Sequence, residues 1–172
     1  MHMIIKLIGA LFVVGSCGAV GFKIAFNYKQ EERALRQLMG ILEYMSCELQ
    51  YRLTPLPLLC RQIARSFKQT PASVFLLLAK EMELQREPDL SRCVRNVVNR
   101  SKALPPETGK ILLELGTTLG RFDLEGQLKG LEAVKNSCKY KLDILEKDAD
   151  VRNRSYQTLG LCAGAALAIL FV

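Results

Sequence analysis

The chain has 172 residues, with 24 Lys and Arg against 17 Asp and Glu and a formal net charge of +7. That length holds one domain with attached segments rather than two. At 49% hydrophobic and 24% charged it is too apolar for disorder, and its few aromatics, lack of Trp and wealth of Ala, Leu, Glu, Lys, Arg and Gln favour helix over strand. The single histidine is His2, so neither a His-based triad nor a His-rich zinc site can be assembled from this chain alone.

Residues 1–26 are predicted to be a transmembrane anchor. Within them, 7–22 (LIGALFVVGSCGAVGF) is an uncharged run of 16 residues, edged by Lys6 and Lys23, whose long side chains can reach toward headgroups. Val14-Gly15-Ser16-Cys17 also reads as a loose lipobox, the alternative being a lipidated Cys17. Against it, the apolar run continues past Cys17 to Phe22, no cleavage site of the A-x-A kind follows, and the polypeptide beyond is rich in Lys and Arg.

Residues 27–155 are predicted to fold as a bundle of six helices. The first, over 28–52, carries the stripe Leu35, Leu38, Leu42, Met45 and Leu49 at spacings of three and four. Thr54 is expected to cap a second helix with Pro55 at its first position, burying Leu56, Leu59, Cys60, Ile63 and Phe67. Thr70-Pro71 repeats that signal for a third, with Val74, Phe75, Leu78 and Met82 inward. Asp89 or Ser91 can cap a fourth helix that buries Leu90, Val94, Val97 and Val98, and Pro105-Pro106 precedes a fifth bearing Ile111, Leu112, Leu115 and Leu119. Gly120 suits the left-handed residue that ends it, and Asp123 the cap of a long sixth helix whose stripe runs Leu124, Leu128, Leu131, Cys138, Leu142, Leu145 and Ala149. No segment alternates as a strand would.

No breaker separates the sixth helix from 156–172 (YQTLGLCAGAALAILFV), predicted to be a second anchor about 26 Å long. Gly160 and Gly164 have the spacing that lets membrane helices approach closely. Of the 24 basic residues 22 lie in 27–155 with all 17 acids, so this middle segment is only +5, a solvated mixture and not a nucleic-acid patch. Lys29, Arg33 and Arg36 follow the first run, and Lys147, Arg152 and Arg154 precede the second. Because Lys and Arg are retained inside, the middle is expected in the cytoplasm and both termini outside. The six cysteines show no C-x-x-C pairing and read as small buried hydrophobes in a reducing compartment.

Little in the chain points to chemistry. There is no phosphate-binding Gly-rich loop, and the carboxylates Glu31-Glu32, Glu81/Glu83/Glu87 and Asp143/Glu146/Asp148/Asp150 are interleaved with Lys or Arg as on solvated helix faces. No catalytic residue, cofactor, metal, nucleic acid or small-molecule substrate is expected. Arg92, Arg95 and Arg100, with Lys102, make the fourth helix locally basic, a candidate docking face for an acidic partner. Gly120, Asp123 and Gln127 form a second candidate contact region; Gly120 and Asp123 are first helix-terminus residues, and Gln127, one turn after Asp123, can either complete the cap or face a partner.

Two short motifs carry a resemblance: Glu48-x-x-Tyr51-x-x-Thr54-Pro55-Leu56, and Leu115-Gly116-x-x-Leu119-Gly120-x-x-Asp123-x-x-x-Gln127. In their order, and in their place between two terminal apolar runs, the chain resembles the stage III sporulation protein AB family of endospore-forming bacteria over nearly its whole length. Cys17 and Cys162 depart from that pattern. The family is in turn similar to the cytoplasmic domain of the type II secretion system F protein, a platform component shared with type IV pilus machines. The resemblance implies an all-helical domain in the mother-cell cytoplasm, anchored in the membrane around the forespore. It implies partnership with a secretion-type ATPase, of the stage III sporulation protein AA kind, and with other proteins of the same channel complex. The alternative is a membrane-anchored scaffold or regulator without a motor partner.

Overall fold

The computed structural model describes the backbone of residues 2–68, 70–84, 89–119 and 123–171, and side chains over 26–68, 70–84, 89–119 and 123–148. Six helices follow in order, α1 (His2–Tyr51), α2 (Leu56–Ser66), α3 (Thr70–Glu83), α4 (Leu90–Arg100), α5 (Pro106–Thr118) and α6 (Leu124–Phe171), and among the described residues there is no strand. The helix expected over 28–52 runs on without interruption from the segment before it, for α1 is one helix of 50 residues. Nothing between Phe26 and Tyr28 could break it, since no Pro or Gly stands there. Among the described residues no helix is long and apolar enough to cross a membrane. The two anchors expected at 1–26 and 156–172 lie, apart from Phe26, outside the residues whose side chains are described.

The long helices run antiparallel. Arg36 meets Glu146 at 2.7 Å, the Cys138 thiol donates to the Leu35 carbonyl at 3.5 Å, and Lys135 lies 3.9 Å from Glu43. This register puts Phe26 of α1 and Asp148 of α6 at one end of the bundle. It puts Tyr51 and the start of α6 at the other. The helix α2 turns back along α1, where the Tyr44 and Phe67 rings meet edge to face, and α4 to α6 complete the bundle. The core is the predicted one in its centre: Leu35, Leu38, Met45, Ile63, Phe75, Leu115 and Leu131 are fully enclosed or nearly so. Leu142 and Leu145 are only partly buried against it. At Gly116 α4 packs close on α5, since a Cβ there would stand 2.8 Å from the Val94 Cβ.

Two acids expected on solvated faces are buried. Glu31 is 7% exposed, and its Oε1 accepts from the Thr108 N–H and the Thr108 hydroxyl, each at 2.7 Å, while Oε2 accepts from the Glu107 N–H at 3.2 Å. The N-cap residue of α5 is Pro105, which has no side chain able to accept. A carboxylate from α1 therefore caps α5 from outside, where the helix dipole favours negative charge. Glu81 is the other, buried on α3 and joined to Arg100 at 2.7 Å. Asp143 and Asp148 are exposed as expected, while Glu87 and Asp150 fall outside the described residues or side chains.

Candidate partner-binding surface

The helix α4 is strongly two-faced. Cys93, Val94 and Val97 are buried, and Asp89 caps it by accepting from the Ser91 N–H at 3.2 Å. Arg92 and Arg95 are exposed three residues apart on the outer face. Arg100 is exposed too, but its guanidinium is held by Glu81, so it ties α4 to α3 before it can serve a partner. The close approach of Val94 to Gly116 sets the first half of α4 beside the end of α5. Arg92 thus shares an end of the bundle with the start of α6, and Arg100 points back toward the opposite end.

Asp123 caps α6 as predicted, accepting from the Gly126 N–H at 3.0 Å through Oδ1. The half-buried Gln127 closes the first turn with its backbone N–H on the Asp123 carbonyl at 2.9 Å. Gly120 lies outside the described residues. Gly116, treated at the sequence level only as part of a motif, proves to be a packing residue.

The other motif closes the turn from α1 to α2. Thr54 does not cap α2; its hydroxyl donates to Glu48 Oε2 at 2.9 Å, and α2 starts at Leu56 behind Pro55 without a side-chain cap. Glu48 is buried and needs donors, and Arg52 supplies a second at 3.2 Å. Burial, then the charge of Glu48, pushes the nearby Tyr44 hydroxyl above its ordinary pKa, so it stays protonated. Inside this closed turn Leu53 adopts φ +51°, a left-handed conformation that costs a Leu about 1–2 kcal/mol. Tyr51 and Leu53 are nevertheless 77% and 66% exposed. Tyr51 stands off the apolar stripe of the first helix, the one signal from which sequence reasoning could have found it, whereas Leu53 continues the spacing of that stripe beyond the end of α1.

Elsewhere the chemistry is structural. Burial pushes the Cys60 thiol up to about 12 and Cys138 up to about 11, so neither supplies a thiolate at neutral pH. Cys47, expected to be buried, faces solvent. Among the described residues no group of three His, Cys, Asp or Glu side chains could hold a metal. An open pocket of about 550 Å³ lies between α1 and the start of α5, lined by Tyr28, Glu31, Lys102, Leu104 and Glu107. Its carboxylates are already engaged, Glu31 by the cap and Glu107 by Lys110 at 2.5 Å and Lys141 at 3.0 Å. Lys110, and then Lys141, hold the Glu107 carboxyl below the usual carboxylate range. What these pairs add is therefore in place above the ordinary Glu pKa and is lost as pH falls through the lowered value.

Residues 6–172 match the sequence profile of the family described as Stage III sporulation protein AB. The chain belongs to the stage III sporulation protein AB family. It is similar to the Stage III sporulation protein AB of Bacillus subtilis (strain 168), 25% identical over 170 residues, which takes in 98% of this chain and 99% of that protein. Its fold is similar to that of a solved structure titled Stage III sporulation protein AB, with a TM-score of 0.63 at 20% identity over 71% of this chain and 98% of the other. A role in sporulation goes with this family.

Proposed function

We propose that this family member is a non-enzymatic platform component of the mother-cell membrane around the forespore, coupling a cytoplasmic secretion-type ATPase to a membrane complex. The observation that carries the reading is the antiparallel pairing of α1 and α6, fixed by Arg36–Glu146 and Cys138–Leu35. It brings the two apolar runs in the sequence to the same end of one bundle. Two anchors entering one membrane side by side, with basic residues at their inner flanks, leave the bundle in the cytoplasm.

Topology is checked with a native thiol. In a chain carrying Cys17→Ser and Cys162→Ser, the exposed Cys47 should resist a membrane-impermeant maleimide in intact cells and react after lysis. Labelling in intact cells would place the bundle on the wrong side. The motor partnership is checked by binding. Purified full-length chain in detergent should capture an ATPase of the stage III sporulation protein AA kind. The double change Arg92→Glu and Arg95→Glu should weaken that capture by about tenfold at low salt and much less at high salt. The melting temperature should stay unchanged, because exposed charges add little stability. Equal capture by both chains at low salt would make the outer face of α4 a solvated surface only.

A further inference from the structure

The exposed large apolar side chains are unevenly placed. Phe26 and Tyr28 stand at the end of the bundle next to the first apolar run, Leu76 and Leu77 lie along α3, and Tyr140 on α6. Tyr51, Leu53, Leu58 and Leu84, by contrast, gather at the opposite pole. The turn from α1 to α2 carries the first two, the first turn of α2 the third, and the Arg61–Glu83 pair joins the end of α3 to α2 one residue before Leu84. Leu53 is the most telling of them, for the Glu48–Thr54 bond closes a turn in which a branched apolar residue is held left-handed and turned to solvent. Asn or Gly would occupy that position without strain, so the fold bears a cost to present this side chain.

We propose that this pole is the anchoring surface for a cytosolic protein whose contact face is apolar at the centre and rimmed by carboxylates. The inference rests on the platform reading and names the chemistry of its partner. The charge at the rim sets the sign. Arg52 and Arg61 flank the apolar group, and each uses one guanidinium nitrogen on an internal acid, Glu48 or Glu83, leaving further N–H donors outward. The nearby acids are engaged within the chain: Glu48 by Thr54 and Arg52, Asp123 by the Gly126 N–H, and Glu125 by Lys129 at 2.7 Å. Spare donors around a Tyr and Leu centre are what a carboxylate-rimmed apolar face would meet. A second copy docking pole to pole would set Arg52 and Arg61 against their own equivalents. A membrane is also a poor occupant, because the 25 residues from Phe26 to Tyr51 span roughly 38 Å of helix, which holds the pole away from the bilayer that takes the apolar runs.

The test uses the full-length chain in detergent and the purified ATPase of the stage III sporulation protein AA kind as probe. Leu53→Asn retains the left-handed turn and removes the apolar side chain, so its melting temperature should equal or exceed that of the unaltered chain. Its affinity for the ATPase should fall tenfold or more, and adding Tyr51→Ser should remove binding. If the unaltered chain fails to bind, the platform reading falls and takes the pole's assignment with it. If it binds and both variants bind within twofold of it, the pole alone is overturned and the partner docks elsewhere. A Leu53→Cys chain that forms a homodimeric disulfide through this position and is thereby blocked from the ATPase supports an open docking pole. The same disulfide with ATPase binding undiminished would assign the pole to a second copy and overturn the proposal.

Discussion

Replacing Glu31 with Ala should lower the melting temperature of the full-length chain by about 10 °C. The side chain is buried, and its removal orphans three donors together: the N–H of Thr108, the hydroxyl of Thr108 and the N–H of Glu107. Each enclosed donor left without a partner costs about 1–3 kcal/mol, and losing a helix cap costs about 1 kcal/mol. These terms overlap, so a combined loss of about 3 kcal/mol is expected. At a few degrees per kcal/mol for a chain of this size, that gives the stated shift. Glu31→Gln should fall between, since an amide retains an acceptor oxygen but not the charge that the start of α5 favours. An Ala variant melting within about 2 °C of the unaltered chain would mean that water replaces the carboxylate and that the cap is incidental.

That residue also marks where sequence reading stops. The caps at Asp89 and Asp123 were legible because each acts on a backbone N–H two or three residues ahead, a distance that local rules cover. Glu31 acts on residues 76 and 77 positions away, and in the sequence it is only half of an acidic pair on a helix. Thr54 went astray for a related reason. It precedes a helix with Pro and so reads as a cap, yet a buried carboxylate six residues upstream takes its hydroxyl instead. Arg100 looked like the equal of Arg92 and Arg95 until the fold placed Glu81 against it. The core was read well, because three-and-four spacing of Leu, Ile and Val is a local pattern with one physical meaning. Surface roles depend on which helices become neighbours, and no spacing rule within one helix encodes that.

The same distinction separates two leucines that look alike in sequence. Leu115 and Leu142 both sit in the middle of apolar stripes, yet Leu115 is 2% exposed while Leu142 is only partly covered. Leu115 lines a narrow, wholly apolar gap with Phe75, Val94, Val97 and Leu112. Its walls have little room to collapse, because the Val94 side chain already rests against the backbone of α5 at Gly116. Leu115→Ala should therefore leave a cavity and cost roughly 3–5 kcal/mol, the upper part of the range for such truncations. Leu142→Ala removes a side chain that water already reaches, so about 1 kcal/mol is expected. Urea unfolding of both variants beside the unaltered chain decides the matter through the midpoint at constant slope. Equal losses for the two would show that α6 packs as deeply at Leu142 as α5 does at Leu115. The two long helices would then form the centre of the bundle along their whole shared length.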